Sequence, residues 1–173
     1  MTTPTPQWEQ RIAALWAAID EYEPEDFRAR VGALADELPA GHPVGWFELA
    51  SANDSTGLGD VAAPLYRKAL EAGLTGYRRR RTSVQLGSTL RNLGSLEDSL
   101  ALLTAERERD PAELDEATAG LSDAVDAFLA LTLADAGRER EALTLALGAL
   151  SRHLPRYNRS LTYYAKALSE DMG

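Results

Sequence analysis

A spacing that recurs three times constrains this chain more than any other feature. Trp46, Leu49 and Ala50 stand at i, i+3 and i+4, ahead of a second segment with Ala62, Tyr66 and Ala69. Ser83, Leu86, Gly87 and Leu90 repeat the register 37 residues later, ahead of Ser99 and Leu103. Asp126, Leu129, Ala130 and Leu133 repeat it after a further 43 residues, ahead of Ala142, Ala146 and Ala149. Steps of three and four place these residues on one face of a helix. A unit that recurs at this period cannot bury its apolar face alone, so neighbouring units must stack to form a continuous core. The small residue after each leucine lets two helices approach closely. A fourth, weaker copy opens the chain 34 residues before the Trp46 copy, with Ile12, Leu15, Trp16 and Ile19, then Arg28, Gly32 and Ala35. Trp16 occupies its small-residue slot, so this copy cannot pack like the others, as expected of a cap.

The punctuation between segments predicts about nine helices and no sheet. Residues 1–6 read as a lead. Helices follow from Trp8 to Tyr22 and from Pro24 to Leu38, the second opened by a proline and acidic residues that suit a helix start. A third runs over about 44–54. The fourth has Asp60 as its candidate cap, and the fifth covers about 77–92. Ser95 with Asp98 resembles a capping box for the sixth. Residues 113–136 are readable as one helix with a weak point at Gly120. The last two span about 139–153 and 156–170. Short loops imply antiparallel neighbours. Ala, Leu, Glu and Arg dominate, and these are strong helix formers.

Composition removes several classes of function. The 173 residues contain no cysteine and two histidines, so cysteine-ligated metals, disulfides and thiol nucleophiles are excluded. A net charge of −9 argues against nucleic acid as the main partner. The charge is uneven: residues 1–76 hold 12 acidic and 5 basic residues, and residues 77–173 hold 15 and 13. The longest apolar stretch, 127–134, is too short to span a membrane. The first ten residues do not look like a signal peptide, so the expected location is the cytoplasm. No cofactor or metal site is expected.

The Leu86 copy, with Gly87, Leu90, Ser99, Leu103 and the closing Pro111, resembles the tetratricopeptide repeat (TPR). The Trp46 copy carries its large aromatic, its leucine and its small–aromatic–small triplet. It departs at Asn53, where an aromatic is usual, and at Leu74, where proline is usual. The third copy departs at Asp126 and Ala146. The resemblance implies an all-α fold of antiparallel helix pairs stacked in a right-handed superhelix, a single domain over 1–173. Its parts would be a degenerate repeat at 9–42, repeats at 43–76, 80–113 and 123–156, and a capping helix at 156–170. It implies a non-enzymatic scaffold for another protein or peptide, bound in a concave groove lined by the first helix of each pair; a homodimer is the further partner that an uncovered apolar groove face would allow. The implied groove positions are Val44, Phe47, Ser51 and Asp54; Arg81, Val84, Ser88 and Arg91, with Asn92 beside them; and Ala124, Ala127, Leu131 and Asp135. The third set is apolar and calls for a cover, either the final helix or a second copy. The lysine and asparagine sites that clamp a peptide C-terminus in some TPR proteins carry Phe47, Ser51, Val84 and Ser88 here, so that ligand is not expected. The alternative function is a sensor for a small or acidic ligand.

Other candidate features read more plainly. Arg78–Arg81 could meet an anion, or else pair with the chain's acidic excess. Asp20, Glu21, Glu23, Glu25 and Asp26 lack the spacing of a calcium loop and read as a solvated turn. His42 and His153 have no nucleophile or acid in a recognisable motif. Tyr157, Asn158, Tyr163 and Tyr164 make the last helix polar and aromatic.

Overall fold

A computed structural model describes residues 3–170. The first two residues of the expected lead lie outside the described residues. Thr5 already caps the first helix, accepting a hydrogen bond from the Trp8 amide at 3.2 Å. The helices are α1 (Pro6–Ala17), α2 (Pro24–Ala35), α3 (Pro43–Ser55), α4 (Gly59–Glu71), α5 (Gly76–Asn92), α6 (Leu96–Arg107), the single turn α7 (Glu116–Ala119), α8 (Ser122–Asp135), α9 (Glu139–Ser151) and α10 (Asn158–Glu170). Short 3-10 turns lie at Ile19–Glu21 and Pro111–Glu113. No strand occurs among the described residues. The all-α helical repeat is therefore as expected, with nine helices of three turns or more and one single turn among the described residues.

The chain forms two compact units, Met1–Thr82 and Ser83–Gly173, divided within α5. In the first unit α3 packs along α4, and α2 along α3. Its core holds Phe27, Val31, Phe47, Ala50, Ala62, Tyr66 and Ala69, each 1% exposed or less. Burying one such large side chain stabilises by about 1.5–3 kcal/mol. Trp8 Nε1 donates to the Leu34 carbonyl at 2.8 Å and ties α1 to α2. Trp16 meets the Phe27 ring edge-on at 5.0 Å, where the other copies have Ala50 or Gly87. The α1–α2 contact is less extensive than that of α3 with α4.

In the second unit α6 packs on α8, α8 on α9, and α9 on α10. Leu103, Leu129, Ala130, Leu133 and Ala142 form its core, with Leu100, Phe128 and Leu145 against it. Ser99 Oγ donates to the Gly87 carbonyl at 2.7 Å and lies 3.0 Å from Thr132 Oγ1, so one buried hydroxyl links α5, α6 and α8. A Cβ on Gly87 would sit 2.6 Å from Leu103 Cγ. The small residue is therefore required by the approach of α6.

The same turn closes the first helix of each pair. Gly57, Gly94 and Gly137 lie eight residues after Leu49, Leu86 and Leu129, with φ of 85°, 81° and 74°. The following amides, Leu58, Ser95 and Arg138, donate back to the carbonyls of Asn53, Leu90 and Leu133 at 2.8, 2.9 and 2.8 Å. This is the Schellman arrangement, and its left-handed position favours glycine.

Several sequence expectations need correction. Asp60 is not a cap: it lies inside the first turn of α4, whose N-cap is Leu58. Ser95 holds the N-cap position of α6 but makes no side-chain cap bond. Residues 113–136 are not one helix, because the chain breaks at Gly120–Leu121 between α7 and α8. Taken together, Glu116–Asp135 is long and apolar enough to cross a membrane by length and composition alone. Here its apolar residues Val125, Leu129, Ala130 and Leu133 are buried. His42 is the N-cap of α3, and its Nδ1 accepts from the Val44 amide at 3.2 Å.

Candidate functional site

The implied groove positions fall into two different environments. In the first unit, Val44, Phe47 and Ser51 are 9%, 1% and 0% exposed, so they are core positions and not an open surface. Asp54 is half-buried and accepts from the Tyr66 hydroxyl at 3.2 Å. Burial, with this carboxylate beside it, pushes the Tyr66 phenol well above its usual range. Arginines from α5 lie over α3. The guanidinium carbons of Arg78 and Arg81 are 5.9 and 5.2 Å from the centre of the Phe47 ring, and Arg81 also lies 6.0 Å from that of Tyr77.

The arginine run that stands out in the sequence is largely spent inside this unit. Arg78 donates to both Glu9 carboxylate oxygens at 2.8 and 2.6 Å and to Glu48 at 3.1 Å. Arg80 is 2% exposed. Glu48 also accepts from Trp16 Nε1 at 2.7 Å. Burial raises the Glu48 carboxyl above the usual carboxylate range, and Trp16 and Arg78 offset this only in part. Beside these groups lies a cavity of about 520 Å³, lined among others by Glu9, His42, Val44, Tyr77, Arg78 and Arg81. Glu9, His42 and Tyr77 had no place in the sequence-derived groove. The residue separations are too long for local spacing to betray them, as with Arg78 and Glu9 at 69 residues apart.

In the second unit the implied positions lie mostly at the surface. Val84 is the exception and is buried. Ser88 and Arg91 are half-buried, and Asn92, Ala127 and Asp135 are exposed. Leu131 is 46% exposed. Arg91 Nε donates to Asp135 Oδ2 at 2.6 Å, so two expected groove residues on α5 and α8 meet each other directly. The final helix does not cover this face. It docks on α9 and leaves Leu131 in solvent, which corrects the expectation of an intramolecular lid.

An ionic cluster at the other end of α8 escaped the sequence reading. Asp126 accepts from Arg107 at 2.8 Å and from Arg152 at 2.9 Å. Asp123 pairs with Arg152 and lies 2.7 Å from His153 Nε2. Partial burial pushes the Asp123 carboxyl up, but Arg152 and His153 outweigh it and hold the group below its usual range. The signal was available: Asp126 stands where the Trp46 copy has its large aromatic, and an acid in an apolar slot needs a cation nearby.

Comparison with known proteins supports the repeat. A tetratrico peptide repeat family model matches residues 43–168. No curated protein and no solved structure matches the chain. Repeats of this family typically mediate protein–protein interaction and are typically non-catalytic. The match spans most of the chain and agrees with three helix pairs closed by the same glycine turn, so the protein belongs to the tetratricopeptide repeat family.

Proposed function

We propose that this protein is a cytoplasmic, non-enzymatic scaffold that binds a peptide or helix of another protein on the α5–α8 face of its second unit, and that it also self-associates. The observation that carries the first part is Leu131. It is 46% exposed although α8 buries Leu129 and Leu133 within the same turn and a half. Beside it, Arg91 and Asp135 supply a charged pair that gives a bound segment polarity. An exposed leucine offers apolar area that a partner segment would remove from water. Capture of a partner from the native host should fail with Leu131→Asp and survive with Leu150→Asp, a leucine of similar exposure on α9.

The second reading is a sensor for a small or acidic ligand, and the cavity at Tyr77, Arg78 and Arg81 supports it. A ligand of that kind would raise the melting temperature by linkage.

A further inference from the structure

Between Glu141 and Glu170 the chain has no acidic residue, while Arg152, Arg156, Arg159 and Lys166 fall in that stretch. Arg152 is engaged by Asp123 and Asp126, as Arg78 is by Glu9 and Glu48 and Arg91 by Asp135. At α10, Arg156 and Arg159 are exposed, and no described carboxylate pairs with either. Tyrosines stand among them: Tyr157, Tyr163 and Tyr164 are 77%, 71% and 64% exposed. Tyr157 has φ 65°, a conformation that residues other than glycine rarely adopt. A pocket of about 410 Å³ is lined by Arg152, Asn158, Arg159, Thr162, Tyr163 and Lys166, together with Ser151, with no carboxylate among its described lining residues. Large aromatic surface left in water beside Arg156 and Arg159 marks a contact surface for something anionic.

The chain itself carries a matching surface. Asp20, Glu21, Glu23, Glu25 and Asp26 are all exposed at the turn between α1 and α2, and no described cation pairs with any of them. The two arginines that follow are occupied: Arg28 donates to Thr56, and Arg30 lies over the Tyr22 ring.

We infer that the α10 face docks the Asp20–Asp26 turn of a second copy of this chain. Carboxylates enter the pocket between α9 and α10, where Arg159 donates paired hydrogen bonds to them. The tyrosine rings cover the apolar parts of the turn and shield the ion pairs from water. Because the two surfaces differ, each contact pairs the α10 face of one copy with the turn of another. The net charge of −9 opposes association at long range. That repulsion fades beyond about 8 Å at physiological salt, whereas ion pairs at contact distance survive. This inference rests on the self-association part of the proposed function and does not use the α5–α8 face.

Light scattering across a concentration series tests it with two variants. One removes the basic side, Arg156→Ala with Arg159→Ala. The other neutralises the turn with Asp20→Asn, Glu21→Gln, Glu23→Gln, Glu25→Gln and Asp26→Asn. All these residues are exposed, and circular dichroism confirms that both variants stay folded. The unaltered chain should grow in mean mass with concentration at about 0.1 M salt and return to monomer at about 1 M salt, where the Debye length falls to about 3 Å. Each variant alone should stay monomeric. Their mixture should stop at a 1:1 complex, because one intact surface of each kind remains. A chain that is monomeric at every concentration overturns the inference. So does association that both variants retain, association abolished by Leu131→Asp, or an α10 face that binds single-stranded DNA or a polyglutamate peptide without self-association. Loss of partner capture by Leu131→Asp with intact assembly would leave both readings standing separately.

Discussion

Ser51 and Leu131 occupy the same slot of their repeats, each five residues after Trp46 and Asp126 respectively. Their environments are the reverse of their polarity. The serine is 0% exposed and the leucine 46%. In the first unit, Arg78 and Arg81 lie over Phe47 and close the face of α3. In the second, α8 meets Arg91 from α5 but no covering helix, since α10 goes to α9. Repeat register therefore decides which face a residue is on. The neighbours that reach across decide whether that face is core or surface.

The sharpest way to break this comparison is to truncate both faces. Phe47→Ala should cost about 3–5 kcal/mol in urea unfolding. Leu131→Ala should stay within about 0.5 kcal/mol. Equal costs would mean that the two faces are packed alike. A smaller effect is expected where the second unit is tight despite its open face. Gly87→Ala places a Cβ 2.6 Å from Leu103 Cγ. It should destabilise by about 1–3 kcal/mol through overpacking. Leu103→Ala should cost less in the Gly87→Ala chain than it does alone, a non-additivity expected of residues in contact.

The smallest effect is a slope with pH. Burial raises the folded Glu48 carboxyl above its unfolded value, so the native state holds that proton more tightly than the unfolded chain does. Its contribution to stability is full below the ordinary carboxylate range and is lost as pH rises through the window up to the raised value. Glu48→Gln should flatten that part of the stability profile, measured by denaturant unfolding at several pH values. An unchanged slope would show that Arg78 and Trp16 fully offset the burial of the carboxylate.

Local features were legible in the sequence because periodicity and turn chemistry are local. Leu49, Leu86 and Leu129 marked the first helices, and Gly57, Gly94 and Gly137 their ends. The site was less legible because its character depends on long-range partners. Nothing near Arg78 announces Glu9, and nothing near Leu131 says that α10 will choose α9. Arg78–Arg81 looked like a binding feature, yet Arg78 is paired and Arg80 buried. Arg156 and Arg159, less conspicuous in sequence, are exposed.

The central claim is that the α8 face is free for a partner because the fold does not need it. Affinity capture from the native host, run in parallel with the unaltered chain, Leu131→Asp and Leu150→Asp, tests this most directly. The account predicts that all three are folded, that the unaltered chain and Leu150→Asp retain the same partner, and that Leu131→Asp loses it. Capture of that partner equally by all three would contradict the account.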